Sequence, residues 1–250
     1  MRYFLTLSYL GTRYAGWQIQ PNAPSVQATI ETALGVILRQ PIEVTGCGRT
    51  DAGVHARDYV AHFDFDGALP PTFLNGANSL LPPDIALHQI RTVAPDAHAR
   101  FDAYERSYEY QITLRKDPFL TETAWFFAQG RRLDLEKMQA VADLLPRFEQ
   151  FQPFCKTDSG LDSFHCQLKS ARWAHDRERL VFHITANRFL RGMVRLIVGA
   201  CVNAGLGKIA VADVQTALER QTPIPKSFSV PPQGLCLTGI KYPFFEEATA

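Results

Sequence analysis

At 250 residues, with 46% apolar and 20% charged residues, the chain has the make-up of a folded globular protein of one large or two small domains. A formal net charge of +1 argues against a protein that simply coats nucleic acid, but leaves room for a cleft with locally concentrated arginine. No apolar run approaches the roughly 20 residues of a membrane span, and the five cysteines form no Cys-x-x-Cys pair, so neither a membrane anchor, a disulfide framework nor a zinc site is suggested.

The first half opens with an alternating strand over residues 2–9, which carries no signal-peptide cleavage pattern; together with the scattered thiols this points to a reducing, cytoplasmic compartment. A loop over 11–25 leads to a helix over 26–38, with Ser25 as N-cap and Val26, Ile30, Ala33, Leu34 and Ile37 at helical spacing. The pattern then predicts a strand over 42–47, a glycine-rich turn, a short helix over 54–57, a strand over 59–65, a short helix over 74–79 and a strand over 86–92. The second half repeats the outline. A strand over 106–114 precedes a helix over 135–145 capped by Asp134. Paired strands over 171–175 and 180–186 flank a charged turn. Helices over 188–203 and 211–220 and a closing strand over 235–242 complete it.

Strand–helix–strand–strand twice over predicts an α+β fold of two pseudo-repeated halves, residues 1–104 and 105–250. Antiparallel or mixed sheets would stand side by side, with helices on one face and a cleft between the halves.

Two stretches carry chemistry. In Gly46-Cys47-Gly48-Arg49-Thr50-Asp51-Ala52-Gly53-Val54-His55-Ala56, glycines surround an Arg-Thr-Asp triplet, which places Asp51 on a tight turn at a strand end. A carboxylate there acts as nucleophile or general acid/base, or merely fixes the turn by bonding a backbone N–H. In Asn187-Arg188-Phe189-Leu190-Arg191-Gly192-Met193-Val194-Arg195, Arg188, Arg191 and Arg195 fall at steps of three and four in a largely apolar segment. Each either snorkels to water or needs an acidic or phosphate partner.

Together with the strand Tyr59-Val60-Ala61-His62-Phe63, these stretches resemble blocks of the TruA-type tRNA pseudouridine synthases. Gly16-Trp17-Gln18-Ile19-Gln20, Leu81-Pro82-Pro83-Asp84-Ile85, Ala99-Arg100-Phe101-Asp102-Ala103, Arg106-Ser107-Tyr108-Glu109-Tyr110 and Gly234-Leu235-Cys236-Leu237 match in the same order. The resemblance implies an isomerase that converts uridine to pseudouridine in the anticodon arm of tRNA, at positions 38–40, with no cofactor and no metal. It implies Asp51 as the catalytic carboxylate and Arg195 as its support. Tyr108 would stack on the extruded uracil, and Arg49 would hold the RNA. Arg188, Arg191, Arg57 and Arg13 are further RNA-contact candidates. A homodimer is implied by the family alone.

Three features stand apart from that reading. His62-Phe63-Asp64-Phe65-Asp66-Gly67-Ala68-Leu69 is similar to the Asp-x-Asp-Gly-Thr-Leu motif of haloacid-dehalogenase phosphatases, though Ala68 replaces the usual Thr. A non-catalytic RNA-binding module on the same fold is a second alternative. Glu149 and Gln150 stand where many family members carry His and Asp, which puts in doubt the local hydrogen bonding of those residues and the fit of the loop over 156–166 to RNA.

Overall fold

A computed structural model describes residues 1–156 and 163–245. In chain order its strands and α-helices are β1 (Arg2–Tyr9), α1 (Val26–Leu38), β2 (Thr45–Gly46), β3 (His55–Asp64), α2 (Phe73–Leu80), β4 (Ile85–Val93), β5 (Glu105–Thr113), β6 (Trp125–Phe126), α3 (Leu135–Leu144), β7 (Leu168–Asp176), β8 (Arg179–Ala186), α4 (Met193–Gly205), α5 (Val211–Arg220) and β9 (Leu235–Lys241). The architecture is α+β. Among the described residues no helix is long and apolar enough to cross a membrane.

The chain forms two compact units, one of residues 1–104 with 236–250 and one of residues 105–235. In the first, β1 lies antiparallel between β3 and β4, and β2 pairs with β3, giving the order β4-β1-β3-β2. This is the βαββαβ pattern of ferredoxin-like units. The register sets Phe4 opposite both His62 and Arg91. Ser25 caps α1 by accepting from the Ala28 N–H at 3.2 Å. Val26, Ile30, Ala33 and Leu34 are the buried positions of that helix. Phe63 of β3 stacks between Tyr3 and Phe73 at 5.5 and 6.1 Å.

In the second unit β8 lies antiparallel between β5 and β7, while β6 adds to β5 in parallel. In both units the strand that precedes the second helix, β3 or β8, lies between the two strands that flank the first helix, β1 and β2 or β5 and β7. Tyr110, Ile112, Phe182 and Ile184 are buried, and α3 and α4 pack on one another. Asp134 caps α3 through the Lys137 N–H.

Four expectations need correction. The sequence places the closing strand in the second half, yet its residues from Cys236 onward belong to the first unit. His55 and Ala56 pair in parallel with Cys236 and Leu237, the Tyr104 N–H donates to the Lys241 carbonyl, and the Tyr242 hydroxyl donates to the Ala99 carbonyl. The short helix expected over 54–57 is the start of β3, because that parallel partner holds it extended. The strand expected over 42–47 contracts to Thr45–Gly46. The helix expected from 188 begins only at Met193, after Gly192 turns the chain at φ +71°.

Candidate active site

The Asp51 segment is built from the inside outward. Leading into it, the Cys47 N–H donates to the Val60 carbonyl at 2.9 Å. The Tyr59 hydroxyl reaches back to the Gly48 carbonyl, and Trp17 stacks on the Tyr59 ring at 4.1 Å. A Cβ on Gly46 would come within 2.1 Å of the Tyr59 hydroxyl and 2.6 Å of the Trp17 ring. Glycine there is a packing requirement. Gly48 differs, since a Cβ there meets nothing within 4 Å. Gly46→Ala is therefore expected to cost about 2–3 kcal/mol by overpacking, read as a lower urea midpoint. Gly48→Ala should leave the midpoint close to that of the parent. Equal midpoints for the two variants would refute the packing argument.

Residues 51–54 form a turn closed by the Val54 N–H on the Asp51 carbonyl at 3.1 Å. Gly53, at φ +77°, sits where a type II turn requires a positive φ. Neighbouring segments pin this turn. The Trp17 N–H donates to the Thr50 carbonyl and the Gly53 N–H to the Tyr14 carbonyl, both at 3.3 Å. Thr50 is buried and shares a 2.8 Å hydroxyl–hydroxyl bond with Tyr9. His55, buried as the start of β3, accepts at Nδ1 from the Gly11 N–H at 2.9 Å. This is a structural role. On this frame Asp51 is half-buried, while Arg49 and Arg57 are exposed. Arg13 pairs with Asp84 at 2.7 Å, and Asp84 also accepts from the Tyr14 hydroxyl. Trp17, 3% exposed, is a packing residue.

The second unit holds the other candidates. Tyr108 is half-buried on β5, opposite Ile184, and meets the Phe189 ring edge-to-face at 5.2 Å and 88°. Leu190, Arg191, Gly192 and Met193 form a second turn, closed by the Met193 N–H on the Leu190 carbonyl at 3.1 Å. Arg188 and Arg191 precede the helix and are exposed, so the shared helical face inferred from their spacing does not exist. Arg195 is half-buried in the first turn of α4, with Nε donating to the Val230 carbonyl at 2.7 Å. The adjacent Tyr110 is buried and donates to the Pro231 carbonyl at 2.8 Å. Burial raises its hydroxyl pKa far above the ordinary value, with Arg195 acting in the opposite sense. The backing residues Tyr59, Phe189 and Val230 had no signal of their own in the sequence beyond the first two falling inside or beside the marked motifs.

The phosphatase-like motif is a strand-end clamp. The Asp64 carboxylate takes both Nε and Nη2 of Arg2, at 2.9 and 2.7 Å, where β1 and β3 put the two residues opposite one another. Arg2 holds that carboxyl below the usual carboxylate range. Asp66 lies 3.8 Å from the N-terminal amine. Among the described residues no group of three His, Cys, Asp or Glu side chains is arranged to hold a metal ion. Glu149, which stands at the departure from the family pattern, lies 3.1 Å from His165 Nε2, and its carbonyl accepts from the Cys166 N–H. Residues 157–162 of that loop lie outside the described residues.

Comparison with known proteins defines the class to which this chain belongs. A model of the tRNA pseudouridine synthase family matches residues 149–243. The tRNA pseudouridine synthase A of Porphyromonas gingivalis is 44% identical over 247 residues, covering 97% of each chain. The Bacteroides thetaiotaomicron protein of the same name is 42% identical over 99% of this chain and 94% of its own. The one from Geobacter sulfurreducens is 36% identical over 95% and 98%. Among solved structures, a CRISPR endoribonuclease Cse3 bound to a 19-nucleotide RNA is matched at 11% identity and a TM-score of 0.21, over 82% of this chain and 97% of that one; this likeness carries no argument. The chain belongs to the tRNA pseudouridine synthase family, whose members are isomerases.

Proposed function

We propose that this chain isomerises uridine to pseudouridine in tRNA, in the anticodon arm at positions 38–40, with Asp51 as the reacting carboxylate. The observation that supports it best is the turn over 51–54. It holds a half-buried aspartate on a backbone fixed from three directions, in a block that matches the family signature. The reaction breaks the N1–C1′ bond, rotates the uracil, forms a C5–C1′ bond, releases the C5 proton to solvent and takes up a proton at N1. No electron acceptor or group donor enters that balance. The carboxylate serves it by adding to the sugar C1′ or the base C6, or by taking the C2′ proton.

The other residues follow from the reaction's demands. The uridine has to leave its stack, at a cost of a few kcal/mol. Arg49, exposed two residues before Asp51, holds the RNA while this happens. Tyr108 stacks on the extruded base. Arg195 supports the carboxylate. A cation in the first turn of a helix works against the helix dipole by about 0.3–1 kcal/mol, which favours a reason other than stability for an arginine at that position. Arg188, Arg191 and Arg57 are exposed and suited to phosphate contacts, which set position and salt dependence. The enzyme works as a homodimer in the cytoplasm.

The test is tritium release from tRNA labelled at uracil C5, coupled to mapping of pseudouridine in the product. Stoichiometric release with pseudouridine at positions 38–40 is expected. Modification confined to other positions would refute the anticodon-arm assignment, and tight tRNA binding without release would favour the non-catalytic module.

A further inference from the structure

The structure holds a second aromatic site outside the machinery above. We propose that Phe101, with Arg100, is a stacking platform for an unpaired nucleotide of the RNA substrate, separate from the reacting uridine. The proposal rests on the reading that this chain acts on tRNA.

Phe101 is 74% exposed, yet the turn beneath it is among the most firmly bonded in the first unit. His98 Nδ1 accepts from the N–H groups of Arg100 and Phe101 at 3.1 and 3.3 Å. The His98 N–H donates to the Asp102 carboxylate at 2.7 Å, and the Asp102 N–H donates back to the His98 carbonyl at 3.1 Å. Ala99 is fully buried, its N–H on His62 Nδ1 and its carbonyl on the Tyr242 hydroxyl. The Phe101 ring itself rests against the His98 ring at 4.3 Å, with the Arg100 guanidinium 5.6 Å from its centroid. A large apolar ring held out in water by a rigid turn gains nothing for the fold from its exposed surface.

The chemistry of the surroundings selects the occupant. Within the turn, the residues on either side of Phe101 are charged, so the apolar surface that the turn itself presents is a single ring. A protein interface needs many times that area, whereas one nucleobase fills it. Single-stranded nucleic acid is held by this pairing of an aromatic face with a cation. Two nearby carboxylates are occupied, Asp64 by Arg2 and Asp102 by the His98 N–H. The nucleotide has to be unpaired, because a base inside a duplex has both faces covered.

The platform is remote from the chemistry. The Asp51 turn leads into His55, while His62, which anchors the platform, lies seven residues further along β3, about 23 Å at the rise of a strand. The platform therefore takes a different nucleotide from the one that reacts.

Binding of a fluorescein-labelled tRNA transcript to Phe101→Ala, Phe101→Trp and Phe101→Leu, read by anisotropy, tests this. The alanine variant should weaken Kd by roughly 5- to 150-fold, the tryptophan variant should restore it, and the leucine variant should not. Unchanged binding by Phe101→Ala, or leucine performing as well as tryptophan, would overturn the platform. So would a change in oligomeric mass with Kd intact, which would give the ring to a second copy of the chain. Tritium release by the wild type is measured separately. Its absence sinks the isomerase reading and leaves the binding result standing, and the reverse outcome sinks only the platform.

Discussion

Asp51→Asn should fold like the parent and lose tritium release from C5-labelled tRNA by on the order of 10⁴-fold or more, the scale seen when a residue of the reacting constellation is removed. The turn that carries the residue is closed by backbone groups, the Val54 N–H on the Asp51 carbonyl. Its anchors, Trp17 on Thr50 and Tyr14 on Gly53, are backbone as well. Asparagine keeps the shape and tolerates turn positions as aspartate does. What it loses is the negative charge and the ability to attack carbon or accept a proton. Each of the three routes open to the carboxylate needs one of these, so the result does not depend on choosing among them. A urea midpoint within experimental error of the parent would establish that the fold survives, and release at the parental rate would remove Asp51 from the reaction. Gly46→Ala provides the contrast, since it should move the midpoint through the Tyr59–Trp17 stack without touching the carboxylate.

Local pattern carried far in this chain. The Ser25 cap and the spacing of Val26, Ile30, Ala33 and Leu34 define α1 without any knowledge of its surroundings, as do the Asp134 cap of α3 and the bounds of α5. The duplication was legible for the same reason, because strand and helix periods alternate in the same order twice. Errors fall where the deciding partner is distant in sequence. His55–Arg57 reads as a helical fragment until Cys236 and Leu237, some 180 residues away, supply a parallel neighbour. The closing strand has a clear period of two, but that period does not say which unit takes it. Tyr242 on Ala99 and on the Phe4 ring decides the matter.

The site shows the same division. Asp51 was marked by its glycines, but the glycines serve different ends. Gly53 supplies a positive φ, and Gly46 makes room for two aromatic side chains. The arginine segment was legible by composition and misread in geometry. The three-four spacing holds in a helix, and the left-handed Gly192 delays the helix until after Arg188 and Arg191. Phe101 fell inside a motif that the sequence marked. Its exposure depends on His62 and Tyr242, so only the structure sets it apart from an ordinary core phenylalanine.

The second large effect concerns acid. His62 is buried on β3, stacked on Phe4 and edge-on to His98, with Nδ1 accepting the Ala99 N–H. An acceptor nitrogen has no proton to spare for that bond, so the fold holds the neutral ring. Burial, then Arg2 and His98, push its pKa down from 6.5 to about 4, against the smaller pull of Asp64 and Asp102. The unfolded chain thus binds a proton between pH 6.5 and 4 that the folded chain refuses. Stability from this group is fully present above pH 6.5 and is lost progressively as pH falls toward 4, to a total of about 3 kcal/mol. His98, pushed down mainly by its own burial, adds in the same direction. The Asp64–Arg2 pair acts lower, since a depressed carboxylate gives up its contribution only below its unfolded value near 3.8. Urea midpoints at pH 7.0, 5.5 and 4.5 should therefore fall steeply for the parent. His62→Leu starts lower at pH 7.0, by about 1–3 kcal/mol for the stranded Ala99 N–H, but should decline with a much shallower slope. Parallel slopes for parent and variant would mean that some other group carries the acid sensitivity. In the folded chain the His62 ring protonates only near pH 4, so the Ala99 bond and the Phe101 turn should hold, and any loss of tRNA affinity through His62 should appear only near that pH.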